Sequence, residues 1–326
     1  MVLGAIGVVI ALSLWWMPAN DFLIVPDQAK PLETKVQVEG GHPNATGDVY
    51  YVDVFVRRIR RLEQLLPFTR PDGATLVPEQ DIAPAGTTDR ERNRQNAADM
   101  ERSEQIASVV ALRALGYHVV ATPRGVLVTT VFSNVPAAKV LDPDDVIVGV
   151  SGVPVRTPAQ LRREFHRVQP GDEVRLTVTR AGKTRDVTDK TIPDPKDSSR
   201  PVVGILVSQD AKIELPFKVD IDLGDVGGPS AGLPFALEIA RQLGRNVTHG
   251  CRIAATGELG LDGSVFPIGG IEQKTIGVRR AGVDYFLVPV GENASTAEKY
   301  ADGLHVIPVD TFQQALRRLA TDVKKC

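Results

Sequence analysis

Hydrophobic and polar positions alternate or recur along this chain in ways that predict distinct elements. Phe217, Val219, Ile221 and Leu223 alternate with Lys218, Asp220 and Asp222, the period-two pattern of a half-buried strand. Residues 47–56 (GDVYYVDVFV) are rich in aromatic and β-branched side chains and predict another strand. Between Arg90 and Leu115, Ile106, Val109, Val110 and Leu112 recur at helical spacing, in a helix expected to end at Gly116. Leu237, Ala240, Arg241 and Leu243 follow the same period up to Gly244. Residues 71–90, rich in Pro, Gly, Ala and Asp, predict an irregular surface loop, and residues 193–200 (PDPKDSSR) a linker between two compact units.

At the N-terminus, residues 2–17 (VLGAIGVVIALSLWWM) carry no charge, and Trp15 and Trp16 suit a membrane–water interface. As a helix this stretch reaches roughly 24 Å, a little short of a hydrocarbon core of about 30 Å. Nothing basic precedes Lys30, so the n-region of a signal peptide is missing. The reading adopted is a single-pass membrane anchor over residues 1–25; a cleaved signal and a buried core helix are the alternatives. Flanking charge does not set the orientation.

Residues 117–192 have a grammar of their own. A strand at Gly125–Val131 is followed by a short helix opening at Pro136, the segments 141–150 (LDPDDVIVGV) and 151–155 (SGVPV), and a helix from about Pro158 to Val168. Gly171-Asp172 and the alternating Val174, Leu176 and Val178 complete the series. In this order the elements resemble the bacterial, circularly permuted PDZ domain. The resemblance implies that Arg124, Gly125, Val126 and Leu127 offer backbone N–H groups to a peptide carboxylate, while the peptide adds as a strand. A small β domain without a ligand is the plainer alternative.

Composition narrows the classes. Hydrophobic residues make up 43% and charged residues 24% of 326, which is ordinary globular composition, and a net charge of -2 offers nucleic acid no general attraction. Cys251 and Cys326 have no metal-ligand spacing, so no metal or other cofactor is expected; Cys251, in an apolar stretch, reads as a buried thiol. His249 and Cys251 lack the third, orienting group of a Cys-His peptidase.

The chemistry-bearing segment is Gly224-Asp-Val-Gly-Gly-Pro-Ser230-Ala-Gly232, a glycine-rich turn between a strand and a helix. A serine there lies beside helix N–H donors that have no acceptor of their own, and Gly228 and Ala231 belong to the same turn. Taken alone, this is also an ordinary capped helix start. It is not a phosphate loop, since the nearest match to Gly-x-x-x-x-Gly-Lys-[Ser/Thr] has Gln273 where glycine is required.

Together with Gly-Pro-Ser-Ala-Gly, residues 254–274 (AATGELGLDGSVFPIGGIEQK) resemble the proteolytic domain of Lon, and residues 281–289 (AGVDYFLVP) resemble that family's next strand. The resemblance covers roughly residues 201–320. It implies Ser230 as nucleophile, Lys274 as general base and Thr256 as a hydroxyl that positions the amine. The ATP-dependent relatives carry Asp two residues before the proline, where Gly227 stands; neither Asp225 nor Glu258 is given a role. A Ser-Lys pair requires a neutral amine, so burial must bring Lys274 from near 10.4 to about 7–8.

With the anchor, the whole chain resembles the membrane-anchored PDZ-and-Lon proteases of bacteria. The expected fold is α+β: a transmembrane helix (1–25), an N-terminal segment (26–116) whose strand 47–56 joins the protease sheet, a PDZ-like β domain (117–192) and a Lon-type α/β domain (201–322). The expected function is ATP-independent peptide hydrolysis on the extracytoplasmic side, with the PDZ domain presenting protein or peptide substrates. By analogy with Lon-domain rings a homo-oligomer is expected. A non-catalytic anchored scaffold that binds peptide C-termini, and a processing protein that cleaves only its own chain or one partner, are the rivals.

Overall fold

A computed structural model describes residues 12–13, 16–42, 46–82, 88–132, 134–194, 197–224 and 226–326. No helix among the described residues is long and apolar enough to cross a membrane. The expected anchor at residues 2–17 lies mostly outside them, and its proposed end at residue 25 is corrected: strand β1 (Pro18–Pro26) already begins at Pro18. Phe22 and Leu23 are buried in that strand, so its apolar run serves a core. After the short strands β2 (Lys30–Pro31) and β3 (Val36–Val38) come β4 (Asp48–Tyr51) and β5 (Val54–Arg60). The single strand expected over 47–56 is thus two strands, broken at Val52-Asp53. Helix α1 (Arg61–Leu65) follows. The expected loop at 71–90 contains β6 (Thr75–Val77) and a short helix, α2 (Glu79–Ile82). β6 and β5 flank β1 in a three-stranded antiparallel sheet. Helix α3 (Asp89–Ala114) then buries Ile106, Val109, Val110 and Leu112.

The next unit is β7 (Val120–Val131), a 3-10 turn at Pro136–Lys139, β8 (Val146–Val150), β9 (Val153–Pro154), α4 (Pro158–Phe165), β10 (Glu173–Arg180) and β11 (Lys183–Lys190). Its core joins Val126, Val128, Ile147, Leu161, Phe165 and Leu176. Around the expected linker, β12 (Ile192–Pro193) pairs with β13 (Pro201–Val202), and Arg200 is ion-paired with Asp194. This hairpin turns the chain back into β14 (Ile205–Glu214), which pairs along β7.

The last unit starts with β15 (Val219–Ile221), paired with β3. It continues through α5 (Gly232–Gln242), β16 (Arg252–Ala255), the ribbon β17 (Glu258–Leu259) and β18 (Val265–Phe266), α6 (Ile271–Arg280), β19 (Tyr285–Pro289), α7 (Glu292–Tyr300), β20 (His305–Val309) and α8 (Phe312–Asp322). Its sheet has the order β2-β4-β16-β19-β20, with β4, β16, β19 and β20 parallel. Side chains alternate between two cores. Ile253, Ala255 and Leu287 join the core of α3, α5 and α8, while Ala254, Phe286 and Val288 join the core of α6 and α7. A parallel sheet covered on both faces in this way accounts for the near-continuous apolar runs of β16 and β19.

Cys251 is buried as expected, but it is bonded to Cys326 across 75 residues of sequence. The bond ties the C-terminus to the start of β16. Replacing Cys326 with Ser is expected to lower the unfolding free energy by about 2–4 kcal/mol. A denaturant midpoint unchanged from the parent under non-reducing conditions would show that the link contributes nothing.

Candidate active site

Two helices from opposite faces of the parallel sheet meet at its carboxyl edge. Ser230 lies in a 3-10 turn (Pro229–Ala231) that leads into α5, which sits on one face. Lys274 lies in the first turn of α6, which sits on the other. Thr256 follows β16 directly and stands between them. Crevices at the carboxyl ends of parallel strands are the usual ligand sites of open α/β sheets.

The three side chains are hydrogen-bonded to one another. Lys274 Nζ lies 2.6 Å from Ser230 Oγ and 3.1 Å from Thr256 Oγ1. The Thr256 hydroxyl donates to the backbone carbonyl of Ser230 at 3.2 Å, so its proton is engaged and its oxygen faces the amine. The Ser230 carbonyl also accepts from Gly257 N–H at 2.8 Å, and Leu233 N–H donates to the Gly257 carbonyl at 3.0 Å. These bonds stitch the serine turn to the end of β16. The turn is braced from α3 as well, where the Asn96 carbonyl accepts from Gly228 N–H at 2.8 Å and Ser103 Oγ donates to the Pro229 carbonyl at 3.1 Å.

Two glycines permit this arrangement. Gly228 has φ 94 and ψ 161, a conformation that suits only glycine. A Cβ on Gly227 would come within 2.6 Å of Asn96 Cβ. The absence of Asp at 227 therefore has a steric cause, since α3 occupies the space its side chain needs. Pro229 opens the turn, and the N–H groups of Ser230 and Ala231 begin it, with no earlier turn to accept them.

Electrostatics favour the pair. Lys274 is 3% exposed, and burial lowers its pKa to about 8 against an opposing pull from Asp53. At pH 7 about a tenth of such amines are neutral, against roughly one in 2,500 for a free lysine near 10.4. Asp53 is the neighbouring carboxylate that sequence reading missed. It follows β4, the strand beside β16, and its own pKa is raised to about 6, first by burial and then by a hydrogen bond with Asp27. Its Oδ1 is buried with no hydrogen-bond partner among the described residues. The available signal was the charge that interrupts the apolar run Tyr50-Tyr51-Val52. Glu258 exerts no resolved effect on Lys274; burial, and then Asp99, raise it to about 7, with Arg162 opposing. Asp225 lies outside the described residues.

Ser230, Lys274, Asp53 and Glu258 all line one cleft of about 660 Å³, walled by Val54, Phe55 and Val56 of β5 and by the Pro267–Gly270 loop. Ser230 is half-buried and accessible from it. The structure does not bring Arg124, Gly125, Val126 and Leu127 to this site. They lie inside β7, where Gly125, Val126 and Leu127 pair with β14. Among the described residues, Cys251, Asp284 and Cys326 meet in space, but the two cysteines are consumed by their disulfide.

Comparisons with known proteins agree with this layout. Residues 219–321 match the model of the Lon protease (S16) C-terminal proteolytic domain, and residues 113–191 match the PDZ domain. Lon protease 2 of Bacillus subtilis is 35% identical over 107 residues, which are 33% of this chain and 18% of that protein. Lon protease 1 of Sorangium cellulosum is 40% identical over 95 residues, 28% of this chain and 12% of that one. The chain thus spans less than a fifth of the length of these curated relatives. The crystal structure of the PDZ domain of the SdrC-like protein from Listeria monocytogenes is 28% identical and covers 26% of this chain and 86% of that one, with a TM-score of 0.24. On the two family models, the chain carries a PDZ domain and a Lon-type proteolytic domain.

Burial of Lys274 has a cost that a substitution can measure. The folded state holds the lysine proton less tightly than the unfolded chain, so the penalty is complete below about pH 8 and fades as pH rises toward about 10.4. Lys274→Met is expected to raise the unfolding free energy by roughly 1–3 kcal/mol at pH 6 and by much less at pH 10. Chemical denaturation at the two pH values checks this, and a gain independent of pH would contradict the buried-ammonium account.

Proposed function

We propose that this protein is a serine endopeptidase in which Ser230 attacks and Lys274 moves the proton, without ATP hydrolysis by any residue of the chain. The observation that carries the reading is the 2.6 Å contact between a buried amine of lowered pKa and an accessible serine hydroxyl at the start of a helix. As Ser230 Oγ bonds to the scissile carbonyl carbon, its proton passes to neutral Lys274 Nζ. The N–H groups of Ser230 and Ala231, at the opening of the turn, are suited to the developing oxyanion. The ammonium then protonates the departing amine, leaving an ester on Ser230. Neutral Lys274 next takes a proton from water, whose oxygen bonds to the ester carbonyl carbon; the ammonium returns that proton to Ser230 Oγ as the C–O bond to the serine breaks and the acid leaves.

The cleft suits an extended chain. β5 ends its three-stranded sheet, and Val54–Val56 lie along the cleft. A substrate segment can add to that edge by main-chain hydrogen bonds, which is recognition that does not depend on a folded partner. We propose unfolded or flexible protein segments as substrates. We further propose that residues 2–17 anchor the chain to a membrane, with the cleft on the extracytoplasmic side. The Cys251–Cys326 disulfide supports an oxidising compartment.

A serine-directed fluorophosphonate probe, followed by mass spectrometry, is expected to label Ser230 in the parent and not in Ser230→Ala. Peptidase activity is expected to fall at least about 1,000-fold in Ser230→Ala. In the parent, kcat/KM should rise with pH and level off above about 8 as Lys274 loses its proton. Full activity in Ser230→Ala, or a rate that falls across that window, would defeat the assignment.

A further inference from the structure

A PDZ ligand adds as a strand to an open sheet edge, but in this chain the edge is not open. The domain's sheet has the order β11-β10-β8-β7-β14, so β14 lies on the outer side of β7. It runs antiparallel, with Leu206 opposite Thr130, Val207 opposite Val128, Ser208 opposite Leu127 and Asp210 opposite Gly125. Ile205 and Val207 pack into the same core as Leu161 and Phe165 of α4, while Leu206 between them is 52% exposed. That is the alternation of a bound peptide seated between a strand and a helix.

Polar contacts repeat the likeness. Gln209 is buried, and its Nε2 donates to the carbonyls of Gly125 at 3.0 Å and Arg156 at 2.8 Å. The Asp210 carboxylate accepts from the Arg124 guanidinium at 2.7 Å. A side-chain carboxylate thus sits beside the segment from which a PDZ domain would hold a peptide's terminal carboxylate. The second half of β14 belongs elsewhere: Ala211 and Ile213 pack against the protease core, and the chain runs on through β15 to the Ser230 turn. One strand therefore fills the groove of one domain and joins the core of the other. Across the same seam, Arg162 of α4 stands 4.5 Å above the Phe266 ring.

We propose that residues 205–210 are the resident ligand of the PDZ groove, and that an external extended peptide binds there only by exchange with them. The partner it fits has two apolar side chains two residues apart, followed by a carboxylate. Because β14 is tethered through the short hairpin at 192–202, its effective concentration is in the millimolar range (~1 mM), so a free peptide competes poorly.

The test uses the full chain in detergent on a Ser230→Ala background, so that binding is read whether or not the protein is a peptidase. The probe is a fluorescent synthetic peptide copying residues 204–214. Ile205→Asp with Val207→Asp removes the apolar anchors, and the peptide should then bind at least tenfold more tightly than to the parent. Thr130→Cys with Leu206→Cys, oxidised to a bond across the pair, should abolish peptide binding. Amide exchange on the parent should show residues 205–213 protected. Three results would overturn the proposal: unprotected amides at 205–213, measurable peptide binding that is as tight in the locked protein as in the parent, or no gain in the Asp variant while β8 and β10 stay protected. If the Asp variant loses protection in β8 and β10, exchange in the parent and the locked variant decide.

Discussion

A buried amine of lowered pKa beside a serine hydroxyl is the constraint around which this structure is built. An ammonium in water has no reason to give up its proton at neutral pH, and burial is the means by which a protein changes that. Burying Lys274 to 3% exposure demands neighbours on every side, and those neighbours come from distant parts of the sequence. α6 supplies the lysine, the carboxyl end of β16 supplies Thr256, and the turn before α5 supplies Ser230. Because α5 and α6 cover opposite faces of the sheet, the pair can meet only beyond a strand end. The sheet must therefore be parallel where Thr256 leaves it, so that the strand's carboxyl end and both helix starts coincide.

That requirement reaches back across the PDZ domain. β4 pairs with β16, and its continuation carries Asp53 to the lysine. α3 closes one core and holds the serine turn through Asn96 and Ser103. Both elements precede β7, whereas the segment matching the Lon proteolytic domain begins at residue 219. The unit that holds Ser230 and Lys274 thus draws on segments from both sides of the PDZ domain. An inserted domain is tied to its host at two places, which makes its own packing a mechanical neighbour of the site. Glu258, in the cleft, faces Arg162 on the PDZ helix.

Much of this was legible in the residues. The Ser230 turn, the Lys274 helix and the Thr256 position were marked by ordered motifs, and the structure brings those three side chains within hydrogen-bonding distance. Several PDZ elements were likewise readable, from the apolar run of β7, the helix opening at Pro158 and the alternating Val174, Leu176 and Val178 of β10, whereas β11 (KTRDVTDK) carries no such alternation. Pairing partners were not. Nothing local in residues 205–214 says that they add to β7, since any strand of mixed polarity has two usable edges. The disulfide was hidden for the same reason: two cysteines 75 residues apart give no spacing signal. The strand break at Val52-Asp53 was missed because its strand-forming residues run on through β5, and the function of the break lies in the third dimension.

Asp53 shows how narrowly the site is balanced. Its charge stabilises the ammonium and so works against the neutral lysine, yet burial outweighs it and leaves Lys274 at about 8. Asp53 itself titrates near 6 and Glu258 near 7, so three groups in one cleft change charge within about two pH units. Near pH 8 both carboxylates are largely ionised as the amine becomes neutral. Below about 6 the aspartate is largely protonated and its hold on the ammonium lapses, which lowers the lysine's pKa further and opposes its reprotonation. The amine's neutral fraction must then fall less steeply toward acid than a single isolated lysine would allow. Removing that carboxylate would make the lysine a weaker base but a more available one, so its presence sets basicity against occupancy. The orphaned Oδ1 is the structural mark of that compromise: a charge kept near the amine without being paired tightly enough to hold it protonated.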